Sequence, residues 1–272
     1  MMAALPISSP AQIQAVTSQC ESWFANQGFD DPAATKIVTG GVCFNGYIHK
    51  GDDVPFRAAL TQTSDDLPRV VVVRSSGGDT DTGLSMGEAL LDRPATVVAS
   101  QICASSCANY LLTAGQSRIV RKDTLLLYHG GITLDFLEDA AAQTRQQITA
   151  QATQNPGLIP DVAPLIDHSI EETRQQLTAL VARQDSFLVR AGISPTFFRW
   201  MDLFNHMGEP EQATHCPVPS YMIVYAPARL ASLGFRIDAY DGPTSQAEVD
   251  RLMTARHLKK PLCYWQDGAG SL

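Results

Sequence analysis

The chain has no cluster of lysine and arginine residues. Its 20 basic residues are outnumbered by 28 acidic ones, which gives a net charge of −8. Because proteins that bind nucleic acid neutralise its phosphates with clustered cations, we predict no nucleic-acid partner. The chain also lacks any apolar run near the roughly 20 residues that a membrane-spanning helix needs, so we predict no membrane span.

Metal-binding spacings are missing as well. The six cysteines include no Cys-x-x-Cys pair, and no His-x-x-x-His follows them, so we predict no metal site. An even number of cysteines suits disulfides in an oxidising compartment, although the sequence does not give their pairing. Cys103 and Cys107 lie four residues apart, and on a helix that spacing rarely allows a disulfide. We therefore expect each of them to bond elsewhere or to stay reduced.

A signal peptide is not visible at the start of the chain. Residues 1–14 contain neither a positively charged n-region nor an apolar h-region. This is compatible with a cytoplasmic protein, and equally with a mature exported protein that is expressed without its leader.

Strand and helix patterns alternate through the first half of the chain. Apolar, β-branched runs predict buried strands over residues 70–73, 96–99 and 125–128, and apolar residues at helical spacing predict a helix over residues 10–24. This alternation predicts a parallel α/β sheet with right-handed crossovers. The second half is mainly helical, with a strand predicted over residues 235–237. We see no linker between two domains and no internal repeat.

Small and polar residues that could take part in catalysis follow three of the apolar runs. Gly77 and Gly78 follow the first, Ser105 and Ser106 the second, and His129 the third. Because ligands of open α/β sheets bind at the carboxyl edge of the strands, we expect these residues to meet there. Glycine N–H groups can stabilise an oxyanion, a serine at a helix N-terminus can act as nucleophile, and histidine can act as general base. The set predicts a serine hydrolase.

Each of these residues also has a purely structural interpretation. Paired glycines after a strand often form an ordinary turn, and a buried histidine can be structural. A serine is a good N-cap for the helix predicted over residues 105–113, so one of Ser105 and Ser106 could cap while the other attacks. A second serine motif, Gly-Leu-Ser-Met-Gly at residues 83–87, matches the nucleophile elbow of α/β-hydrolases. No strand precedes it and Ser85 falls within helical periodicity, so we disfavour Ser85 as a nucleophile.

Together these segments resemble the Clp-protease/crotonase superfamily. Residues 75–78 are similar to that family's Ser-Pro-Gly-Gly segment, with Ser76 in place of the proline. Residues 103–115 resemble the nucleophile helix of the Clp peptidases. The likeness is strongest to exported, periplasmic Clp-like proteins, whose nucleophile segment commonly reads Cys-Ala-Ser-x-Cys. It covers roughly residues 36–131 and, more loosely, residues 225–238.

The resemblance implies an α/β fold of the Clp/crotonase type, a spiral of ββα units, here with a mainly helical C-terminal half. It implies a main domain over residues 36–240. A helical segment packed on the core (1–35) would precede it, and a C-terminal helix and tail (241–272) would follow. The segment over residues 135–190 is longer than a Clp peptidase needs, so it could cover the site or build a different oligomer contact.

The resemblance also implies roles for individual residues. Counting back from Gly115, the nucleophile falls on Ser106, and His129 matches the general base. The remaining roles are oxyanion N–H groups from Gly78 and Cys107, a substrate contact at Gly77, and an orienting acid at Asp202, with Asp185 and Asp167 as weaker candidates. A Ser–His dyad without the acid is the alternative, since loss of that acid slows a triad without abolishing it.

The implied activity is that of a serine peptidase or related acyl hydrolase. It would act on a peptide or protein substrate without a cofactor, as an exported protein that could assemble into a homo-oligomer, with a cytoplasmic location still open. One alternative is a crotonase-like acyl-CoA enzyme that uses the same oxyanion donors, in which case basic residues should lie near the pocket. The other is a catalytically inactive scaffold that retains the fold.

Overall fold

The computed structural model describes residues 8–63, 68–134, 136–154, 162–199, 216 and 222–265. The chain divides into two compact units. The first comprises Met1–Gly130 with Phe187–Leu272, and the second comprises Gly131–Ser186. The site residues that the structure describes, apart from two candidate acids, belong to the first unit.

Helices and short strands alternate along the chain. The helices are α1 (Pro10–Phe24), α2 (Asp53–Gln62), α3 (Thr80–Asp92), a π-helix (Cys107–Leu112), α4 (Phe136–Gln154), α5 (Val162–Arg190), α6 (Pro227–Ser232) and α7 (Gln246–Ala255). The strands are β1 (Ala34–Val38), β2 (Gly41–Asn45), β3 (Val70–Ser75), β4 (Thr96–Ala104), β5 (Ser117–Val120), β6 (Leu125–Leu127), β7 (Ile223–Tyr225), β8 (Ala239–Tyr240) and β9 (Cys263–Trp265).

The main sheet is mixed and mostly parallel. Its strand order is β1-β2-β3-β4-β5-β8, and β6 pairs with β4 beside this path. The β1–β2 hairpin is antiparallel, and the other pairs of the sheet are parallel. A second, two-stranded sheet pairs β7 with β9 in parallel. The predicted α/β class is therefore confirmed.

Apolar side chains cover the sheet on two sides. All six residues of β3 are buried, as an apolar strand covered on both faces requires. On one side the core includes Val16, Cys20 and Phe24 of α1, so the helix predicted over residues 10–24 is confirmed in both extent and buried face. A separate cluster joins β4 and β6 to α7, β7 and β9.

The strand predicted over residues 235–237 is wrong. Phe235 follows the turn that ends α6, where its N–H donates to the Leu230 carbonyl, and its ring stacks at 5.3 Å on that of Phe197. Pairing with β5 begins only afterwards, where Asp238 N–H donates to the Arg118 carbonyl. The short strand is Ala239–Tyr240.

Strand β4 bends in the middle and changes partner. Its first half pairs with β5, and its last three residues, Ile102–Ala104, pair with β6. Against β3, the register runs from Val73 opposite Ala99 to Ser75 opposite Cys103, so β4 holds two extra residues over that interval. The bend turns the end of β4 away from the direction of the main ladder and toward β6.

A buried arginine fixes this bend. Arg74 of β3 is 4% exposed and donates to the Gln101 side chain at 2.9 Å, to the Asn45 side chain and to two backbone carbonyls. Burial lowers the pKa of Arg74, while the charge of Asp31 opposes that shift. Gln101 has a φ of 64°, a left-handed conformation that the Arg74 contact holds in place.

In the part of the chain that the structure describes, no helix is both long and apolar enough to cross a membrane.

Candidate active site

Ser105 and His129 meet where β4 and β6 end side by side. Ser105 follows β4 directly, and His129 lies two residues after β6. The Ser105 Oγ lies 2.6 Å from the His129 Nε2, which is a hydrogen bond. Both residues are partly exposed. The structure thus brings a serine hydroxyl and an imidazole together at the edge where the sequence predicted Ser105, Ser106 and His129 to meet.

The backbone around Ser105 holds it in an unusual conformation. Ser105 has a φ of 52°, in the left-handed region that non-glycine residues seldom adopt. Its N–H donates to the Leu127 carbonyl at 3.0 Å, and its carbonyl accepts from Asn109 N–H at 2.8 Å. One bond ties it to β6 and the other to the following helix. Such strained residues cost about 1–3 kcal/mol and are concentrated at active sites.

The structure corrects the choice between the two serines. We predicted that Ser106 would face His129, but Ser105 does so, and the Ser106 Oγ instead donates to the Gly78 carbonyl at 2.9 Å. Ser105 has a left-handed backbone with a φ of 52°, whereas Ser106 already has helical dihedral angles. The count back from Gly115 compared sequence positions only, so it did not include this change of backbone direction. Ser106 is 2% exposed.

The expectation that Cys103 and Cys107 would not pair is also wrong. They form a disulfide, with a Cα–Cα distance of 5.2 Å. The objection applied to two cysteines on one helix, but Cys103 belongs to β4 and only Cys107 lies in the π-helix. The left-handed turn at Ser105 brings the strand end and the helix start close enough to bond. We call residues 103–107 the Ser105 turn.

The glycine pair lies against the Ser105 turn. Gly77 has a φ of 93° and Gly78 a φ of 142°, so both adopt conformations that other residues rarely reach. A Cβ added to Gly77 would lie 2.7 Å from the Ser105 Cβ, and one on Gly78 would lie 2.1 Å from the Ile48 carbonyl oxygen. The approach of this turn to Ser105 therefore requires glycine at both positions.

Hydrogen bonds fix the direction of the Gly78 amide. The Gly77 carbonyl accepts from Ile48 N–H at 2.7 Å. Because a trans peptide directs its carbonyl and its N–H to opposite sides, the Gly78 N–H points away from Ile48. Asp79 N–H donates to the Ile48 carbonyl at 2.8 Å, so the Gly78 carbonyl of the same peptide also points away from Ile48. On that side it accepts a hydrogen bond from the Ser106 Oγ. Gly78 N–H is thus directed toward the side of the Ser105 turn.

The backbone N–H and carbonyl of Gly77 both make hydrogen bonds within the molecule. Its N–H donates to the Ser75 Oγ at 3.0 Å, and its carbonyl accepts from Ile48. The predicted substrate contact at Gly77 stays a prediction. Because Gly77 has no side chain, Ser105 can lie directly against it.

The oxyanion role of Cys107 stays a prediction, and it depends on which serine is the nucleophile. The N–H of the residue after a nucleophilic serine commonly serves the oxyanion. For Ser106 that residue is Cys107, the first residue of the π-helix, whereas for Ser105 it is Ser106. The Ser106 N atom lies 3.0 Å from the position that a Cβ on Gly77 would take, so this amide borders the glycine turn.

The residue after His129 is anchored to the π-helix. Asn109 is 3% exposed, and its Nδ2 donates to the Gly130 carbonyl at 2.7 Å. This bond ties the end of the His129 segment to the π-helix that follows Ser105. Sequence reasoning missed Asn109, and a polar residue within an apolar helical segment was the signal available.

The orienting acid is not assigned. Asp202 lies outside the described residues. The weaker candidates Asp185 and Asp167 both lie on α5, within the second unit, where Asp185 is partly buried and Asp167 is exposed. The identity of the acid therefore stays a prediction.

The Gly-Leu-Ser-Met-Gly motif has a packing role. Ser85 lies inside α3, as predicted, and not at a strand-to-helix turn. A Cβ on Gly83 would lie 2.8 Å from the Ser106 Cβ, and one on Gly87 would lie 2.9 Å from the Tyr110 carbonyl oxygen. The two glycines are one helical turn apart and let α3 lie directly against the start of the π-helix.

A cavity of about 180 Å³ lies beside the same strand ends. Ser76, Ala104 and Leu127 line it, and each of them closely precedes one part of the site. Lys259 and Lys260 also belong to its lining and are exposed to solvent. Within the described ranges, no group of three or more His, Cys, Asp or Glu side chains is arranged to hold a metal ion.

No protein-family model and no curated protein sequence matches the chain.

Proposed function

We propose that the chain is a serine acyl hydrolase, in its most specific form a peptidase of the Clp-like type, with Ser105 as nucleophile and His129 as general base. The observation that carries the proposal is the 2.6 Å contact between the Ser105 Oγ and the His129 Nε2. A hydroxyl within hydrogen-bond reach of an imidazole, beside unhindered backbone amides, is the arrangement that acyl transfer needs.

The proposed reaction has two acyl-transfer steps. His129 Nε2 accepts the Ser105 proton as Oγ attacks the carbonyl carbon, which requires the ring to carry its own proton on Nδ1. The negative charge on the carbonyl oxygen is stabilised by the N–H groups of Gly78 and Ser106. The protonated imidazole then gives its proton to the leaving amine or alcohol, and an acyl-enzyme forms. Water, activated by His129, releases the acid product.

The architecture supports the Clp/crotonase interpretation of the fold. The bend of β4, the pairing of its last residues with β6 and the strand–helix repeats are what a spiral of ββα units requires. The glycine turn after β3 and the serine turn after β4 occupy the positions that the resemblance implies. An oligomer and a peptide or protein substrate belong to the same proposal.

The cysteines support an exported location. All six are paired, as Cys20–Cys43, Cys103–Cys107 and Cys216–Cys263. Such full pairing is typical of proteins in oxidising compartments, because the cytosol keeps thiols reduced. We therefore propose that the chain works outside the cytoplasm, in the periplasm or beyond it.

Two matched serine variants test the proposal. Ser105→Ala should abolish labelling by a fluorophosphonate probe and lower the hydrolysis of an activated ester about 10⁴-fold or more, because it removes the nucleophile. Ser106→Ala removes one neutral hydrogen bond to Gly78, worth about 1 kcal/mol, so labelling should slow about fivefold and persist. Circular dichroism shows whether both variants are folded. Undiminished labelling of folded Ser105→Ala would overturn the proposal.

One observation favours a second candidate function. A crotonase-like acyl-CoA enzyme should carry basic residues near its pocket, and Lys259 and Lys260 border the cavity beside the site. In that case Gly78 and Ser106 would stabilise an enolate oxygen, and coenzyme A would bind in calorimetry. The Ser105–His129 hydrogen bond has no part in that role, so the hydrolase remains the better supported function.

A further inference from the structure

The cavity beside the site is built from the segments that carry the proposed catalytic groups. Ser76 directly precedes Gly77, and Ala104 directly precedes Ser105. Leu127 lies two residues before His129 and is the residue whose carbonyl accepts from Ser105 N–H. The cavity therefore lies beside the three segments that carry Ser105, His129 and the glycine turn.

The walls are mainly apolar. Ile102, Ala104, Leu127 and Leu262 are at most 3% exposed and belong to the core cluster beneath α7. The other apolar residues of the lining are Phe29, Met222 and Leu258. Since the charged residues of the lining, Asp30, Lys259 and Lys260, are exposed at least in part, the cavity has an apolar floor and a polar rim.

One polar atom of the lining has no partner. Ser76 Oγ is fully shielded from solvent and makes no hydrogen bond within the described part of the chain. Because solvent does not reach this oxygen, it offers no polar contact to a group in the cavity, and recognition there depends on the apolar walls.

We propose that this cavity binds the apolar group attached to the reacting carbonyl, and so determines which acyl groups the enzyme accepts. The proposal rests on the proposed hydrolase function. The cavity has a volume of about 180 Å³. This suits a side chain the size of leucine, methionine or phenylalanine, or an acyl chain of about six carbons. Shorter groups leave the cavity partly empty, and much longer ones exceed it.

Two substrate series measure this preference. The first is p-nitrophenyl esters of two, four, six and ten carbons, and the second is peptide aminocoumarins that end in glycine, alanine, leucine or phenylalanine. Each methylene that enters the cavity should raise kcat/KM about fourfold, which corresponds to about 0.8 kcal/mol, up to about six carbons. A preference in the ester series alone identifies an acyl chain as the natural group, and one in the peptide series identifies a side chain.

Variants in two walls test whether this cavity is responsible. Ala104→Leu fills it from β4 and should lower kcat/KM for the six-carbon ester at least tenfold, while the two-carbon ester stays within threefold. Leu258→Trp fills it from a segment distant in sequence and should act alike, so the result does not depend on a residue next to Ser105. Val54→Trp, at a side chain that is 66% exposed on α2, is the control and should change neither rate.

The outcomes separate the two proposals. Rates that do not depend on chain length, with Ser105 still labelled by the fluorophosphonate, would overturn the cavity proposal and leave the hydrolase intact. Equal losses for short and long esters in both filled variants would also overturn it. No labelling and no hydrolysis by the folded protein would remove the hydrolase, and the cavity proposal with it.

Discussion

The β3–β4 ladder has regular backbone geometry, whereas the Ser105 turn next to it is irregular. From Val70 to Val73, β3 pairs with β4 in even register, and every side chain is buried. A few residues later β4 bends, Gln101 and Ser105 take left-handed conformations, a disulfide closes residues 103–107, and a π-helix begins. The regular part supplies the rigidity that holds the irregular part in place.

This contrast explains why the candidate site lies at the Ser105 turn. A regular strand or helix satisfies its own polar groups and offers none to a substrate. At the Ser105 turn, hydrogen bonds to β6 and to the glycine turn hold a strained serine with its hydroxyl against His129. Residues in sparsely populated conformations persist only when their surroundings fix them, and here the neighbouring strands do so.

The largest effect should come from replacing a glycine of the site. Gly78→Ala forces a Cβ to within 2.1 Å of the Ile48 carbonyl and places alanine at a φ of 142°. We expect a loss of about 3 kcal/mol or more in the free energy of unfolding and no labelling at Ser105. Chemical denaturation and probe labelling measure the two effects.

Gly51→Ala is the matched control for that variant. Gly51 has a φ of 95°, but a Cβ there meets no atom within 4 Å. It should lose about 1 kcal/mol and keep its labelling, because it carries the conformational penalty without the collision. Equal losses in the two variants would show that the close approach to Ile48 has no importance.

A smaller and more selective effect should come from the disulfides. In the chain-entropy account, the Cys20–Cys43 bridge, with a separation of 23 residues, stabilises by about 3 kcal/mol. The Cys103–Cys107 bridge, with a separation of four, stabilises by about 2 kcal/mol. Only the second encloses Ser105. Replacing Cys103 and Cys107 by serine should therefore slow labelling at least tenfold, whereas replacing Cys20 and Cys43 should cost more stability and leave labelling within threefold.

The two double variants should differ in opposite directions: the one that loses more stability keeps its labelling rate, and the one that loses less stability is labelled more slowly. The free energy of unfolding and the labelling rate are measured on both double variants under conditions where each is at least 95% folded. If both lose labelling in proportion to stability, the Cys103–Cys107 bridge is merely a structural bond, and its role in positioning Ser105 is refuted.

The regular part of the molecule was predictable from the sequence. The apolar run over residues 70–73 predicts a buried strand. The spacing of apolar residues over 10–24 predicts both the extent and the buried face of α1. The meeting of Ser105, Ser106 and His129 at one edge followed from the general property that parallel strands end together.

The irregular part was not predictable, for identifiable reasons. No local pattern indicates the left-handed conformation of Ser105 or the π-helix Cys107–Leu112, so the sequence pointed to Ser106 as the serine that faces His129. The Cys103–Cys107 disulfide was missed because its formation depends on that same turn. The bend of β4 contacts Arg74, a charged residue at the end of an apolar run whose hydrogen-bond partners are distant in sequence.

The most direct test of the account is to locate the covalent adduct on the wild-type protein. The folded chain is treated with a fluorophosphonate, digested, and the peptide that spans residues 103–107 is fragmented in a mass spectrometer. We predict a phosphonyl group on Ser105, lost when the protein is unfolded before treatment. An adduct on Ser106 or on any other residue would contradict the account, as would a folded protein that gains no adduct.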